Sequence, residues 1–333
     1  MDTQATSAAS GPAGGGEDSA RHHGKFLRLI EKAAGLEMLR MAVAHPCDQV
    51  SLEGALQARK DGLVEPILVG PRARIEKVAA DLGESLDGIE IVDEPHSHAA
   101  AAGAVQLVAQ GKADIVMKGS LHSDEILGAV LSKEGGLRTA RRLSHVFVMD
   151  VPTYEELLFI TDAAVNIFPD LASKADILQN AIDLHGGLGL GRPRVAILSA
   201  VETVTPKIPS TIEAAALCKM TDRGQITGAD VDGPLALDNA IDVDAARVKG
   251  IVSPVAGRAQ ILMVPDLEAG NMLAKNLTFL AGADAAGIVL GAKVPVVLTS
   301  RADSIIARRA SCAIAAIYAD YLRRKRGKAL VAG

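Results

Sequence analysis

A short polar cluster after a strongly apolar segment carries the residues best suited to chemistry. Residues 294–299 are apolar or β-branched, and Ser300, Arg301 and Asp303 follow them at the start of a predicted helix over 305–324. A strand, turn and helix in this order present backbone N–H groups and a helix N-terminus, where anions bind. Arg301 adds a planar fork of donors for phosphate or carboxylate, and Ser300 adds a hydroxyl. We therefore predict that this turn holds a transferable phosphate, with Asp303 or Ser304 as the helix cap.

Three further polar clusters follow apolar strands. They contain the residues that we predict to contact substrate: Lys118, Ser120, His122 and Ser123 after one strand, Thr161 and Asn166 after another, and Asp266 and Asn271 after a third. In open α/β sheets, ligands bind outside the carboxyl ends of strands, so four clusters together favour a polar cleft. Structural roles stay open as alternatives: helix caps at Ser120, Ser123 and Asp266, a turn at Asp162 and Asn166, a hydrogen-bonded histidine at His122 and a surface ion pair at Arg301.

The elements that must position these clusters follow from composition and alternation. The chain is 49% hydrophobic but only 2% aromatic, so its core is built from Ala, Val, Leu and Ile, as in parallel sheets covered by helices. From Lys25 onward, strands and helices alternate with short connectors, which predicts the α/β class. Predicted strands are 67–70, 89–92, 114–117, 144–151, 157–161, 194–199, 261–265, 287–290 and 294–299. Predicted helices are 73–82, 97–110, 171–184, 212–220 and 305–324.

Several function classes are disfavoured by the sequence. A net charge of −5 argues against a general nucleic-acid surface. No apolar run reaches the roughly 18 residues of a membrane span, and the N-terminus lacks a signal-peptide pattern. The glycine run at 186–191 follows a helix and precedes a strand, the reverse of a dinucleotide fingerprint, so we interpret it as a helix end.

The remaining chemistry is transfer between two bound substrates. No carboxylates have metal-ligand spacing, and the sequence has no Walker loop, no HExxH and no GxSxG elbow. Three scattered cysteines, Cys47, Cys218 and Cys312, fit a reducing cytosol. Positioning and charge stabilisation would then drive a direct transfer.

Six segments in order along the chain resemble the phosphate acetyltransferase / phosphate butyryltransferase family. They are MKGSLHSDEIL (117–127), SHVFVMDVP (144–152), ITDAAVNIFPDL (160–171), DGPLALDNAI (232–241), VPDLEAGNMLAKNLTFLAGADAAGIVLGA (264–292) and LTSRADS (298–304). Details at 200–211, 232–241 and 300–304 resemble the butyryltransferase branch or the acetyltransferases close to it. The resemblance covers roughly residues 25–325.

The resemblance implies an isocitrate/isopropylmalate dehydrogenase-like fold of two α/β/α domains, with the active-site cleft between them. Domain I would comprise residues 25–152 and 294–333, and domain II, residues 153–293, would dimerise. Residues 1–24, rich in Ala, Gly, Ser and Thr, are predicted to be a disordered tail or linker. We expect a cytoplasmic homodimer.

The implied reaction is acyl-CoA plus phosphate giving acyl phosphate plus CoA, without a metal or cofactor. Ser300 and Arg301 match the serine–arginine pair that binds acyl phosphate in the acetyltransferase branch. Asp303 or His122 could serve as the base. Two alternatives stay open: an NAD-dependent decarboxylating dehydrogenase of the same fold, and a non-catalytic acyl-CoA-sensing module.

Overall fold

The structure, a computed structural model, describes residues 24–133, 135–299 and 303–331. The predicted tail up to residue 23 lies outside the described residues, as do Ser300 and Arg301. Gly24, which the sequence analysis placed in that tail, is the first residue of a helix.

One mixed sheet runs through the described part of the molecule and confirms the α/β class. Its eleven strands have the order β3-β2-β1-β4-β11-β10-β5-β6-β9-β7-β8. The strands are β1 (Leu39–Ala44), β2 (Val64–Gly70), β3 (Glu90–Asp93), β4 (Ile115–Lys118), β5 (Ser144–Asp150), β6 (Leu158–Thr161), β7 (Arg194–Leu198), β8 (Asp230–Leu235), β9 (Ile261–Met263), β10 (Asp284–Leu290) and β11 (Val296–Val297).

Helices cover both faces of this sheet. They are α1 (Gly24–Ala34), α2 (Gln49–Lys60), α3 (Arg72–Leu82), α4 (Ser97–Ala109), α5 (Ser123–Leu131), α6 (Leu171–Gly187), α7 (Pro209–Asp222), α8 (Leu237–Ile241), α9 (Val243–Val248), α10 (Leu267–Leu280) and α11 (Ile305–Val331). Among the described residues, none of these helices is both long and apolar enough to cross a membrane.

The core is continuous on one face of the sheet and divided on the other. Alternate strand residues point to opposite faces, so Met117 and Phe159 share one cluster that also holds Ile314 of α11. On the other face, Val116 of β4 packs in a cluster with α4 and α5. Ile160 of β6 packs in a separate cluster with α10. The division occurs near β10 and β5, and the domain boundaries stay a prediction.

Strand direction divides the carboxyl ends between two edges of the sheet. The pairs β1/β2, β1/β4, β4/β11 and β2/β3 are parallel, whereas β11/β10, β10/β5 and β5/β6 are antiparallel. Strands β6, β9, β7 and β8 are again parallel to each other. The carboxyl ends of β1–β4 and β11 therefore form one edge, which we call the β4 edge. Those of β6–β9 form the opposite edge, which we call the β6 edge.

The structure adds the strands β1 and β8 and the helices α1, α2, α8 and α9 to the predicted elements, and it shortens β11. The sequence analysis assigned no strand to residues 39–44, where Leu, Arg, Met and Ala have high helix propensity, but pairing with β2 and β4 makes this segment a strand. The predicted strand over 294–299 is reduced to Val296–Val297, which pairs with β4. Helix α6 ends at Gly187 within the glycine run, as predicted.

Candidate active site

The β4 edge is built by a close approach between the ends of β1 and β4. The N–H of Gly119 donates to the carbonyl of Ala44 at 2.8 Å, and the N–H of Ser120 donates to that of His45 at 2.9 Å. A Cβ on Gly119 would lie 2.4 Å from the Ala44 oxygen, so a side chain would force the two strands apart. The loop after β4 therefore lies directly against the residue that follows β1.

The predicted contacts after β4 lie around this loop. Lys118 is the last residue of β4 and is half-buried. His122 directly precedes α5 and is exposed, and its side chain makes no capping hydrogen bond. Ser123 begins α5 and is also exposed. His122 and Ser123 are thus accessible to a ligand, whereas Ser120 is engaged by the protein itself.

The hydroxyl of Ser120 is bound to the residues that follow β1. It donates to the carbonyl oxygen of His45 at 2.8 Å. It also lies 3.2 Å from the N–H of Cys47 and 3.1 Å from Nδ1 of His45. Ser120 does not cap α5. Its principal contacts are therefore neither the predicted substrate contact nor the alternative helix cap.

Strand β11 ends at the β4 edge, shortly before the turn that is predicted to bind phosphate. Val297 is paired with Met117, one residue before the end of β4, and both strands run in the same direction. Ser304 caps α11, because its hydroxyl accepts from the N–H of Ala307 at 3.1 Å and donates to Asp284 at 2.7 Å. Asp303 lies one residue before this cap, and its carbonyl accepts from Arg308. The roles of Ser300 and Arg301, outside the described residues, stay predictions.

The other two predicted clusters lie at the β6 edge. Thr161 ends β6 fully buried, and its hydroxyl donates to the carbonyl of His145 at 2.8 Å. Asp266 caps α10 by accepting from the N–H of Ala269 at 2.9 Å, which confirms the capping alternative. Asn271 donates to the carbonyl of Ala163 at 3.3 Å. The described residues of the four clusters therefore lie at two opposite edges of the sheet, those after β4 and β11 at one edge and those after β6 and β9 at the other.

A buried aspartate organises the turn after β6. Asp162 accepts from the N–H groups of Ala164 and Val165 at 2.9 and 3.0 Å. The amide of Asn166 donates to Asp162 at 2.6 Å and to the carbonyl of Leu143 at 2.8 Å. The turn alternative thus accounts for both side chains. Asn166 also borders a cavity of 610 Å³ whose lining includes Arg138, Arg141 and Arg142.

Two buried histidines differ from an exposed imidazole. Burial lowers the pKa of His45 and the charge of Arg74 lowers it further, whereas a hydrogen bond with the backbone of Ser120 raises it. Burial lowers the pKa of His145 to about 4, although nearby Asp162 acts in the opposite direction. Among the described residues, no group of three or more His, Cys, Asp or Glu is placed to hold a metal ion.

The sequence analysis did not include His45 or Arg74. His45 lies directly after β1. The other clusters were recognised because they also follow the ends of strands. Because 39–44 was not recognised as a strand, the same pattern was not applied there. Arg74, in α3, forms no salt bridge with any residue that the structure describes, and its charge acts on both His45 and Cys47.

Comparisons with known proteins show which family the chain belongs to. A family model described as phosphate acetyl/butaryl transferase matches residues 97–316. The chain belongs to this family. It is 66% identical to a phosphate acetyltransferase of Rhizobium meliloti, over 89% of this chain and 93% of the relative. It is 45% identical to a phosphate butyryltransferase of Clostridium acetobutylicum, over 88% of this chain and 98% of the relative.

Solved structures place the family in its fold. A branched-chain phosphotransacylase from Enterococcus faecalis V583 is similar with a TM-score of 0.73 and 33% identity, covering 85% of this chain and 99% of that one. A 4-hydroxythreonine-4-phosphate dehydrogenase from Klebsiella pneumoniae has a TM-score of 0.53 and 13% identity, covering 85% of this chain and 98% of that one, which is a likeness of fold alone. The expected dehydrogenase-like α/β fold is confirmed.

Proposed function

We propose that this chain is a phosphate acyltransferase that moves a short acyl group reversibly between CoA and inorganic phosphate. The observation that carries this conclusion is the family match over 97–316, together with relatives of this activity that align with most of the chain. The implied reaction is acyl-CoA plus phosphate giving acyl phosphate plus CoA, in a ternary complex. CoA is a substrate here, and we propose that no cofactor takes part.

The proposed roles follow from the chemistry of the transfer. Phosphate oxygen attacks the thioester carbonyl, so the phosphate charge and a developing oxyanion must both be stabilised. Arg301 would hold phosphate through two parallel hydrogen bonds, and Ser300 would donate to the oxyanion. Pairing of β11 with β4 supports this assignment, because the chain leaves β11 beside the loop that contains His122 and Ser123.

The relatives support acetyl as the preferred acyl group. The relative at 66% identity is named an acetyltransferase, whereas the butyryltransferase is 45% identical. We expect acetyl-CoA to be the better substrate and butyryl-CoA to be accepted less well. Butyryl has two more methylenes than acetyl, and each changes discrimination in an apolar pocket by only about 1–3 kcal/mol, so both are expected to react.

Assembly and compartment complete the proposal. The predicted domain II presents large exposed apolar side chains, which suit an interface with a second copy: Ile167, Phe168, Met272, Phe279 and Leu280. We propose a homodimer through this domain. All three cysteines are free, which supports the cytoplasm as the compartment.

A CoA-release assay tests the function and the phosphate role together. The wild type should release CoA from acyl-CoAs of two, three and four carbons only when phosphate is present. Arg301→Ala should lose phosphate-dependent release, while Arg301→Lys, which keeps the charge but not the fork, should lose less. A wild type without phosphate-dependent release would contradict the function, and a fully active Arg301→Ala would contradict only the role of Arg301.

A further inference from the structure

His45 adopts a backbone conformation that a side chain normally avoids. Its φ is +54°, and it is the single non-glycine residue with positive φ in the described part of the chain. Such a conformation costs on the order of 1–3 kcal/mol and persists where the surroundings determine it fully. The residue is 6% exposed and lies at the β4 edge, directly after β1.

Neighbouring strands and the Ser120 loop hold the His45 backbone in place. Its N–H donates to the carbonyl of Val69 in β2 at 2.7 Å. Its carbonyl accepts from the N–H of Cys47 at 2.8 Å and from both the N–H and the hydroxyl of Ser120, at 2.9 and 2.8 Å. A Cβ on Gly70 would lie 3.3 Å from its Cα, so the strand next to it also leaves little room for movement.

The hydrogen bonds of Ser120 favour one tautomer of His45. With the hydroxyl proton of Ser120 directed to the His45 carbonyl, the hydroxyl oxygen accepts from Nδ1. In this arrangement Nδ1 carries the proton of the neutral ring, and Nε2 keeps its lone pair. Nε2 forms no hydrogen bond with any residue that the structure describes. It is also not one of the fully buried, unpaired polar atoms in this part of the chain, so a ligand can reach it.

Burial keeps this ring neutral near pH 7. Burial is the largest influence and lowers the pKa of His45, as does Arg74 of α3. Glu125 of α5 and Asp48, which precedes α2, raise it, as does a hydrogen bond with the backbone of Ser120. The net direction is below the usual value of 6.5, so the ring is an unprotonated base at neutral pH.

We propose that Nε2 of His45 is the base that takes the proton of the CoA thiol. Ala44 pairs with Lys118 and Met117 pairs with Val297, so β1, β4 and β11 end side by side and His45 shares an edge with the chain that leads to Ser300 and Arg301. His45 is then the catalytic residue, and Ser120 is a positioning residue that acts through it. The inference rests on the proposed function and assigns the base to His45 instead of Asp303 or His122.

The proton and electrons balance in both directions. During acyl-CoA synthesis, the S–H bond breaks as Nε2 takes the proton, and the thiolate sulfur bonds to the acyl carbon. The bond from that carbon to the phosphate oxygen breaks, and phosphate leaves with the electron pair and takes the proton from Nε2, so HPO₄²⁻ is released and the ring is neutral again. In reverse, Nε2 takes the proton of HPO₄²⁻ as its oxygen attacks, the C–S bond breaks, and the protonated ring gives this proton to the leaving thiolate.

The pH dependence of a His45→Asn variant tests the assignment. Asn tolerates the left-handed backbone and can donate from the position of Nδ1, but it has no atom at Nε2. A thiol with a pKa of about 8.5 is only about 3% thiolate at pH 7, so the variant should be about 30-fold slower there in acyl-CoA synthesis. This defect should shrink to a few-fold above about pH 9, where solvent supplies the thiolate. The wild-type rate should depend much less on pH over this range.

Two controls separate the base from general damage. His96→Asn replaces a histidine that caps α4 by accepting from the N–H of Ala99, and it should keep the wild-type rate at every pH. Ser120→Ala should lower kcat more than it raises the KM for phosphate, because it releases the ring and not the anion site. A change in the phosphate KM alone would contradict a positioning role.

Three outcomes would overturn the inference. They are a wild-type pH profile in His45→Asn, a loss of equal size at every pH, and a proton on Nε2 in the wild type. The last is measured by ¹⁵N NMR of histidine-labelled protein, and it decides the question even if the variant does not fold. A wild type without acyl transfer would instead contradict the proposed function.

Discussion

The sequence predicts that Ser120 and Thr161 contact substrate, but the hydroxyls of both residues form hydrogen bonds inside the protein. The N–H and the hydroxyl of Ser120 both donate to the carbonyl of His45, which follows β1. Thr161 is fully buried, and its hydroxyl donates to the carbonyl of His145. Turning such a hydroxyl towards a substrate would break its hydrogen bond to a buried carbonyl, which costs free energy. His45 has the opposite character, because the ring nitrogen not bound to Ser120 is left open.

A pH dependence of stability is predicted from His145. Its folded pKa of about 4 lies below the unfolded value of 6.5, so the unfolded state binds more protons between these values. The free energy of unfolding should therefore fall as the pH is lowered from about 6.5 to about 4, by on the order of 3 kcal/mol from this residue. Urea unfolding followed by circular dichroism at fixed protein concentration measures the change.

The His145→Gln variant is the matched control for this prediction. It removes the titrating ring, so its free energy of unfolding should depend less on pH between 4 and 6.5. Some dependence should persist, because burial also lowers the pKa of His45 and His185. An unchanged slope in the variant would show that His145 does not cause the effect.

At the scale of elements, the contact between the ends of β1 and β4 depends on a glycine, which has no side chain to keep the two strands apart. Gly119 lets its own N–H and that of Ser120 reach the carbonyls of Ala44 and His45. The same contact holds the His45 ring against Ser120. Local sequence shows the Lys-Gly-Ser order but not which strand it will pack against.

Gly119→Ala should damage both stability and activity. Its Cβ would meet two backbone oxygens, at 2.4 and 2.6 Å, which cannot move without separating β1 from β4. We expect a loss of about 1–3 kcal/mol or more in the free energy of unfolding and a clear loss of CoA release. Gly128→Ala in α5 is the control, because its Cβ would meet nothing within 4 Å. It should be neutral or stabilising by about 0.5–1 kcal/mol, and a similar outcome for both variants would contradict the close-packing argument.

At the scale of the whole molecule, exposed apolar side chains concentrate where the resemblance places dimerisation. Phe168 is 78% exposed and Met272 is 64% exposed, and the carbonyl of Ile167 accepts from the N–H of Leu267 at the start of α10. Large apolar side chains in contact with water are unfavourable unless another surface covers them. The reaction itself needs no such surface.

The double variant Phe168→Glu/Met272→Glu should be a monomer. Two buried carboxylates without partners would oppose association by several kcal/mol. Analytical ultracentrifugation measures the mass, and Leu27→Glu/Met38→Glu, at exposed apolar positions of predicted domain I, should stay dimeric. A monomeric wild type would contradict the homodimer, and a dimeric Phe168→Glu/Met272→Glu would place the interface elsewhere.

The sequence by itself determined the fold class, the family and the type of reaction, because these depend on contiguous signals. Apolar periodicity defines most strands and helices, and motifs such as LTSRADS keep their chemistry within a few residues. The caps at Ser304 and Asp266 were also readable, since a cap acts on its own helix.

The tertiary structure alone decided which clusters meet. The edge at which a strand ends depends on its direction in the sheet, and that direction is fixed by hydrogen bonds with segments far away in the chain, as between β5 and β10. Local sequence therefore could not separate the clusters after β4 and β11 from those after β6 and β9. Nor could it place His45 against Ser120, 75 residues further along the chain, because their contact exists only once β1 and β4 lie side by side.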